Sequence, residues 1–351
     1  MSSDTRRGTS STGSTMSALR VEEPGRIVLT QVARPEEAPP GWVLVDVAAA
    51  GICGTDYHIF EGKHPFLAYP RVIGHELSGR IAADAEGFRA GTLVTINPYI
   101  ACGRCRACRR GKPNCCVAIE VLGVHRDGGI TGRIAVPAGN LYAADGLTPA
   151  EAAMIEFLAI GAHAVRRSRT GPGERAIVVG AGPIGLGTAL FAREAGAEVH
   201  LLDLSPQRLA MARERFGFES SFQPSAKGAA AMAATGGEGF DVVFDATGNA
   251  ASIENCFPLV AHGGSLVLVS VVKGDIRFSD AEFHKREMSI IGSRNATAED
   301  FDTVRRAFAE KRIDAARLHT DTASLAEAAE RLPAWAADRD GVIKAIVEIS
   351  T

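Results

Sequence analysis

Five of the chain's seven cysteines crowd into one short run, CGRCRACRRGKPNCC at residues 102–116. Cys102, Cys105, Cys108 and Cys116 stand at offsets of zero, three, six and fourteen. Short steps between thiolates let one tight loop aim several sulfurs at a single point. Four thiolate ligands, with no position left for water, describe a closed tetrahedral structural zinc site. A redox pair or a disulfide knot is the alternative. Both fit less well, because no secretory signal is read and thiols stay reduced inside the cell. Cys115 could exchange with Cys116, but the spacing favours Cys116. Cys256 has no motif around it and reads as a core residue. A closed metal loop builds a domain and performs no chemistry, so reactivity has to come from elsewhere.

A second run, Gly180-Ala181-Gly182-Pro183-Ile184-Gly185, follows an apolar strand (Ala176 to Val179) and opens a helix. That context makes it a dinucleotide-binding turn. Gly180 permits the tight turn, Gly182 lets a pyrophosphate approach the backbone, and Gly185 lets the helix pack closely on the strand. Pro183 and Ile184 start the helix, whose free N–H groups and positive dipole end face phosphate. The next strand ends at Asp203, roughly 20 residues beyond the first glycine, where a carboxylate accepts both ribose hydroxyls of NAD and repels the 2′-phosphate of NADP. NAD is therefore the expected cofactor. Arg208 could stack on adenine or be a solvated helix residue. Asp245-Ala246-Thr247-Gly248 ends a later strand, where Thr247 would approach the cofactor unless the segment is an ordinary turn.

A third set is dispersed. Cys53 lies in Gly51-Ile52-Cys53-Gly54-Thr55-Asp56, and His75 and Glu76 follow in Gly74-His75-Glu76. Alone, each would read as core or surface. Beside a metal loop and a nucleotide fold in the same chain, they read as a candidate pair of metal ligands.

At 351 residues the chain is long enough for two domains. An apolar content of 46% describes a globular protein, and a net charge of −3 gives no reason to expect nucleic acid or an anionic membrane. The most apolar run, Ala176 to Ala192, is broken by glycines and is no membrane span. Residues 1–17 have little to bury and read as a disordered extension, with Met16 an alternative start. Arg6 and Arg7 precede no apolar core, so no targeting peptide is read and the expected location is cytoplasmic.

From Leu19 to Asp145 short strands such as Val43 to Val47 and Leu93 to Ile96 alternate with Gly and Pro, predicting an irregular β-rich domain around the cysteine loop. Thr148, Pro149 and Glu151 form a helix start, and the helix should run to about Arg167. Beyond Arg175, strands at Ala176 to Val179, Val199 to Leu202, Val242 to Phe244 and Ser265 to Val269 alternate with helices, as in a doubly wound parallel sheet. An amphipathic helix at Ala298 to Glu310 and a final strand at Ala345 to Ile349 close the chain. The expected fold is α/β: a β-rich zinc-binding domain at 18–148 and 297–351, and a Rossmann domain at 149–296.

Together, GICGTD at 51–56, GHE at 74–76, the cysteine loop and GAGPIG at 180–185 resemble the zinc-dependent medium-chain dehydrogenases, which include alcohol, sorbitol and threonine dehydrogenases. The resemblance covers nearly the whole chain after residue 18. It implies a GroES-like catalytic domain rejoined by the C-terminal segment. It also implies a second, catalytic zinc held by Cys53 and His75, with Glu76 as a ligand or just outside the ligand shell. Where alcohol dehydrogenases carry a third ligand, Glu156 stands, as in the polyol and threonine enzymes. Asp56 would orient His75, and Thr55 and His58 match the family's proton relay. Family members pair through the last strands of the nucleotide domain, here around Gly264 to Val272, giving homodimers or homotetramers.

Residues 57–72 look closest to sugar-acid and polyol dehydrogenases such as the L-galactonate or L-gulonate 5-dehydrogenases. Arg294 matches a substrate-contacting arginine of sorbitol-type enzymes, and Lys63 is a further cation for a substrate carboxylate. The expected activity is oxidation of a secondary alcohol of a polyol or aldonate by NAD. A threonine 3-dehydrogenase is one competing reading, and a nucleotide-binding scaffold without catalysis is another.

Overall fold

The strand–helix alternation beyond Arg175 folds as one parallel six-stranded sheet, in a computed structural model that describes residues 14–64, 67–225 and 228–349. Across the sheet the order is Ser221–Phe222, Glu198–Leu202, Arg175–Val179, Phe240–Asp245, Val260–Leu268 and Ser289–Gly292. The winding reverses at Arg175–Val179, so a ligand crevice opens beyond that strand's carboxyl end. Ala176, Ile177 and Val178 are fully buried, because helices cover both faces of the sheet. Helices Ile155–Ser168 and Pro183–Glu194 pack on each other at Gly161, where a Cβ would stand 2.5 Å from the Thr188 backbone nitrogen.

The N-terminal region is β-rich as expected. Its main sheet has seven strands and runs Leu141–Ala143, Leu93–Ile96, Glu76–Ile81, Trp42–Gly51, Lys344–Glu348 and His319–Ser324, with Arg133–Pro137 also paired to Trp42–Gly51. The last strand of the chain thus rejoins the first domain, antiparallel to Trp42–Gly51 with Ile346 opposite Gly51. On the other side of the same strand, Gly51 faces Glu76. This register decides the active site.

Three expectations are corrected. Residues 15–17 are not a disordered extension: Thr15–Glu23 is a strand, paired from Thr15 opposite Ala33. Backbone pairing orders these residues although their side chains bury little; residues 1–13 lie outside the described residues. Helix Ala298–Ala309, assigned to the zinc-binding part, packs on Ile155–Ser168, with Phe301, Val304, Ala307 and Phe308 in the core beside the parallel sheet. The returning segment of the β-rich part therefore begins later, near His319. Lastly, Val260–Leu268 has strand partners on both sides and offers no free edge; the open edge there is Ser289–Gly292.

The helix start at Thr148 forms as a capping box: Thr148 Oγ1 accepts from the Glu151 N–H (3.2 Å), and the Glu151 carboxylate accepts from the Thr148 N–H (2.7 Å). The expected single helix is two, Pro149–Ala153 and Ile155–Ser168, meeting at Met154. Among the described residues no helix is long and apolar enough to cross a membrane.

Candidate active site and cofactor cleft

In the cysteine loop, the sulfurs of Cys102, Cys105, Cys108 and Cys116 all lie within 4.8 Å of one another. Zn–S bonds of about 2.3 Å in a tetrahedron place sulfurs about 3.8 Å apart, so the set fits a closed zinc site. Cys116 Sγ accepts the backbone N–H groups of Cys102 (3.3 Å) and Ala118 (3.4 Å), which hold its sulfur in the loop. Cys115 is exposed and outside the group, and no cysteine is in a disulfide.

A second group joins Cys53, His75 and Glu76, again with donor atoms within 4.8 Å. Cys53 caps helix Gly54–Phe60, and Asp56 Oδ2 accepts the Cys53 N–H at 2.9 Å, which fixes the thiol at the helix start. Asp56 Oδ1 and His75 Nδ1 face each other at 3.9 Å, both buried and without a hydrogen-bond partner among the described residues. Burial pushes the Asp56 carboxyl up. Burial works against a charged His75, but Cys53 and Asp56 outweigh it and raise the imidazole well above its ordinary value. A soft sulfur donor, an imidazole and a carboxylate, the last two buried, suit a borderline-soft divalent cation such as zinc.

Strand register supplies the partner that sequence reasoning missed. Lys344, 1% exposed, reaches across Gly51 and donates from Nζ to Glu76 Oε1 (2.7 Å), Glu76 Oε2 (2.6 Å) and the Ile52 carbonyl (3.0 Å). It can do so because Gly51 has no side chain: a Cβ there would sit 2.2 Å from Glu76 Oε2. Burial pulls the Lys344 ammonium down, but Glu76 and Cys53 outweigh it and leave it raised, so it stays charged. Glu156, in the first turn of Ile155–Ser168, is buried outside the three-residue group and accepts the Tyr99 hydroxyl. Burial pushes its carboxyl up to about 7.

Thr55 and His58 fall three residues apart on the helix that Cys53 caps, so they share its face. Thr55 Oγ1 lies 3.8 Å from Cys53 Sγ, and His58 is exposed. Partial desolvation, then Arg339, hold the His58 imidazole below its ordinary value.

Beyond Arg175–Val179, a cleft of about 980 Å³ is lined by Gly180, Gly182, Asp203, Arg208, Thr247 and Asp340, among others. Gly180 has φ +97°, and a Cβ on Gly185 would stand 1.7 Å from the Gly180 carbonyl oxygen, so both glycines are obligatory. Gly182 caps helix Pro183–Glu194, whose first turn holds Pro183 and Ile184. Asp203 Oδ2 accepts the Ala181 N–H (2.6 Å) and Oδ1 the Ser205 N–H (2.7 Å), leaving lone pairs on each oxygen for ribose hydroxyls. Thr247 donates its hydroxyl to the Asp245 carboxylate (3.0 Å), which anchors the turn at the cleft wall.

Residues 39–146 match the alcohol dehydrogenase GroES-like domain family, and residues 183–310 match the zinc-binding dehydrogenase family. The chain is 44% identical over 329 residues to the L-galactonate-5-dehydrogenase of Escherichia coli K12, covering 91% of this chain and 95% of that one. It is 35% identical over 290 residues to the D-altritol 5-dehydrogenase of Agrobacterium fabrum C58, covering 80% and 84%. The structure of a short chain alcohol dehydrogenase (RspB) from Escherichia coli CFT073, complexed with NADH, superposes with a TM-score of 0.89 at 30% identity, over 96% of this chain and all of that one. The chain belongs to the zinc-type medium-chain dehydrogenase family. It is an oxidoreductase of the alcohol and polyol type, with the GroES-like and Rossmann domains of that family.

For this dehydrogenase, the two expected substrate cations sit differently. Lys63 is exposed and paired with Glu61 at 2.9 Å, and Lys273 of the nucleotide-binding part donates to its carbonyl (3.3 Å). Arg294 is exposed; its carbonyl accepts from Asn114 of the cysteine loop (3.0 Å), and its guanidinium makes no ion pair among the described residues. Lys344 did have a signal in the sequence: a lone ammonium inside Ile343-Lys344-Ala345-Ile346-Val347 has to find a buried partner.

Proposed function

We propose that the chain oxidises a secondary hydroxyl of a sugar acid or polyol to a ketone, with zinc at Cys53, His75 and the neighbouring carboxylates, and NAD as hydride acceptor. The observation that carries this reading is the group of half-buried Cys53 with buried His75 and Glu76 at the foot of the helix bearing Thr55 and His58. Glu156 and Glu76 are the carboxylates available to complete the ligand set, and the four-cysteine loop holds a second, structural zinc. Bound zinc supplies Lewis acidity that makes a hydroxyl far more acidic, and the nicotinamide accepts hydride.

The chain's own residues handle the proton and hold the parts. Thr55 Oγ1 accepts the substrate hydroxyl proton, and His58, on the same helix face and open to solvent, carries it away. A lowered pKa keeps His58 neutral near pH 7 and able to accept. Asp56, whose Oδ1 faces His75 Nδ1 at 3.9 Å, is the carboxylate placed to orient the imidazole when it binds a metal. Lys344 fixes Glu76 and offsets part of the negative charge of the site. Asp203 favours NAD over NADP. The 44% identity to an L-galactonate-5-dehydrogenase supports a sugar-acid substrate, with Arg294 and Lys63 as the cations for its carboxylate. We further propose a cytoplasmic homodimer or homotetramer joined along the open strand Ser289–Gly292, where Ile290 is 39% exposed.

The test is the initial rate of NAD reduction by zinc-loaded protein across aldonates, polyols, threonine and simple alcohols. Fast turnover of an aldonate or polyol is expected. Turnover of threonine alone, or of simple alcohols alone, would overturn the substrate reading.

A further inference from the structure

We infer that Asp340, carried by the C-terminal segment, is a specificity-determining residue: it ties up Arg208 and so denies that cation to a 2′-phosphate at the ribose site. The inference rests on the reading of Asp203 as the ribose ligand.

Asp203 and Arg208 by themselves send opposite signals. A carboxylate at the end of the second strand selects the free 2′-hydroxyl, whereas an arginine close by can accept a 2′-phosphate. Arg208 is well placed to do that. Its Nη1 lies 3.8 Å from Asp203 Oδ2 and 3.8 Å from where a Cβ on Gly182 would stand, so it borders the phosphate turn.

Asp340 resolves the conflict. Its Oδ1 accepts Arg208 Nε at 2.9 Å, and the neighbouring Arg339 carbonyl accepts Nη2 at 3.1 Å. One whole edge of the guanidinium is therefore occupied and its plane is fixed, which leaves it less able to turn and grip a phosphate with two parallel bonds. The other oxygen of Asp340, Oδ2, accepts the Ser205 hydroxyl at 2.8 Å, and Ser205 caps the helix that carries Arg208. The carboxylate is thus fixed from both sides and lines the cleft itself. Asp203 and Asp340 place two carboxylates against Arg208, so they offset its attraction for a 2′-phosphate as well as engaging one edge of its guanidinium. Asp340 comes from the loop between helix Ala328–Ala337 and strand Lys344–Glu348, far from the nucleotide motif in sequence.

The experiment measures dissociation constants of NAD and NADP by calorimetry, together with kcat/KM for each, in Asp340→Ala, Asp340→Asn, Asp203→Ala and Asp340→Ala/Arg208→Ala. Asp340→Ala should improve NADP binding relative to NAD by on the order of 10-fold, the worth of one charge-assisted contact. Asp340→Asn should move the ratio the same way by less, because it loses the charge and keeps the shape. The double variant should cancel the gain. If Asp340→Ala weakens both cofactors equally, Asp340 is only a clamp between the two parts of the chain and the inference falls. It falls also if the gain survives the loss of Arg208. Failure of the underlying reading is distinct: Asp203→Ala would then leave the NAD/NADP ratio unchanged.

Discussion

Replacing Lys344 by methionine removes the ammonium from a pair in which both partners are essentially inaccessible to water. Glu76 would lose two short donors at 2.6 and 2.7 Å and remain beside Cys53, Asp56 and Glu156. Removing one partner of such a buried pair costs about 3–5 kcal/mol, because the other charge is left uncompensated. With a urea dependence of about 2 kcal/mol per molar, that is a fall of about 1.5–2.5 M in the unfolding midpoint. Trp42 and Trp335 are the only tryptophans and both lie in the β-rich part, so their fluorescence reports that part's unfolding. The decisive comparison is Glu76→Gln/Lys344→Met. Taking out both charges removes the uncompensated one, so most of the loss should return, giving a coupling of about 2–3 kcal/mol. If the double variant is as unstable as the two single losses added, to within about 0.5 kcal/mol, the pair is not coupled and the reasoning is refuted.

Gly51→Ala puts a methyl 2.2 Å from Glu76 Oε2 and must displace that carboxylate. A loss in kcat/KM on the order of 100-fold is expected, since misplacing one group of a site by about 1 Å costs that much; unchanged kinetics would count against a role for Glu76. Cys53→Ser should leave one tightly held zinc per chain, measured by elemental analysis, while activity is lost. Loss of both metals would contradict two independent sites. For His58, an imidazole whose pKa is lowered stays neutral until the pH falls below its ordinary value of about 6.5, so the acid limb of kcat/KM should lie below that value. Arg339→Ala removes a cation and releases Glu61, both of which favour the imidazolium, so the limb should move to higher pH. A limb that stays put in Arg339→Ala, or persists in His58→Gln, would exclude His58 as its source.

Much of the site was legible because its chemistry is written in local spacing. The cysteine offsets, the glycine turn and the Thr148 cap each fix a short stretch of backbone, and each appears where the residues predict it. Thr55 and His58 were legible as candidates, but the helix that brings them onto one face is only seven residues long and gave no periodic signal. Strand Ser289–Gly292 also went unread, and with it the open sheet edge, because a four-residue strand with mostly exposed side chains lacks a clear apolar pattern.

By itself, then, the sequence determined the cysteine loop, the nucleotide turn and the alternation that makes a parallel sheet, since these depend on residues close together in the chain, whereas Cys53, His75 and Glu76 are brought into one group by the fold. Only the tertiary structure decided which carboxylate is held by which cation. Lys344 meets Glu76, and Asp340 meets Arg208, through the return of the last segment to the first domain. Pairs so distant in sequence are set by strand register and domain packing, and neither leaves a trace in local spacing.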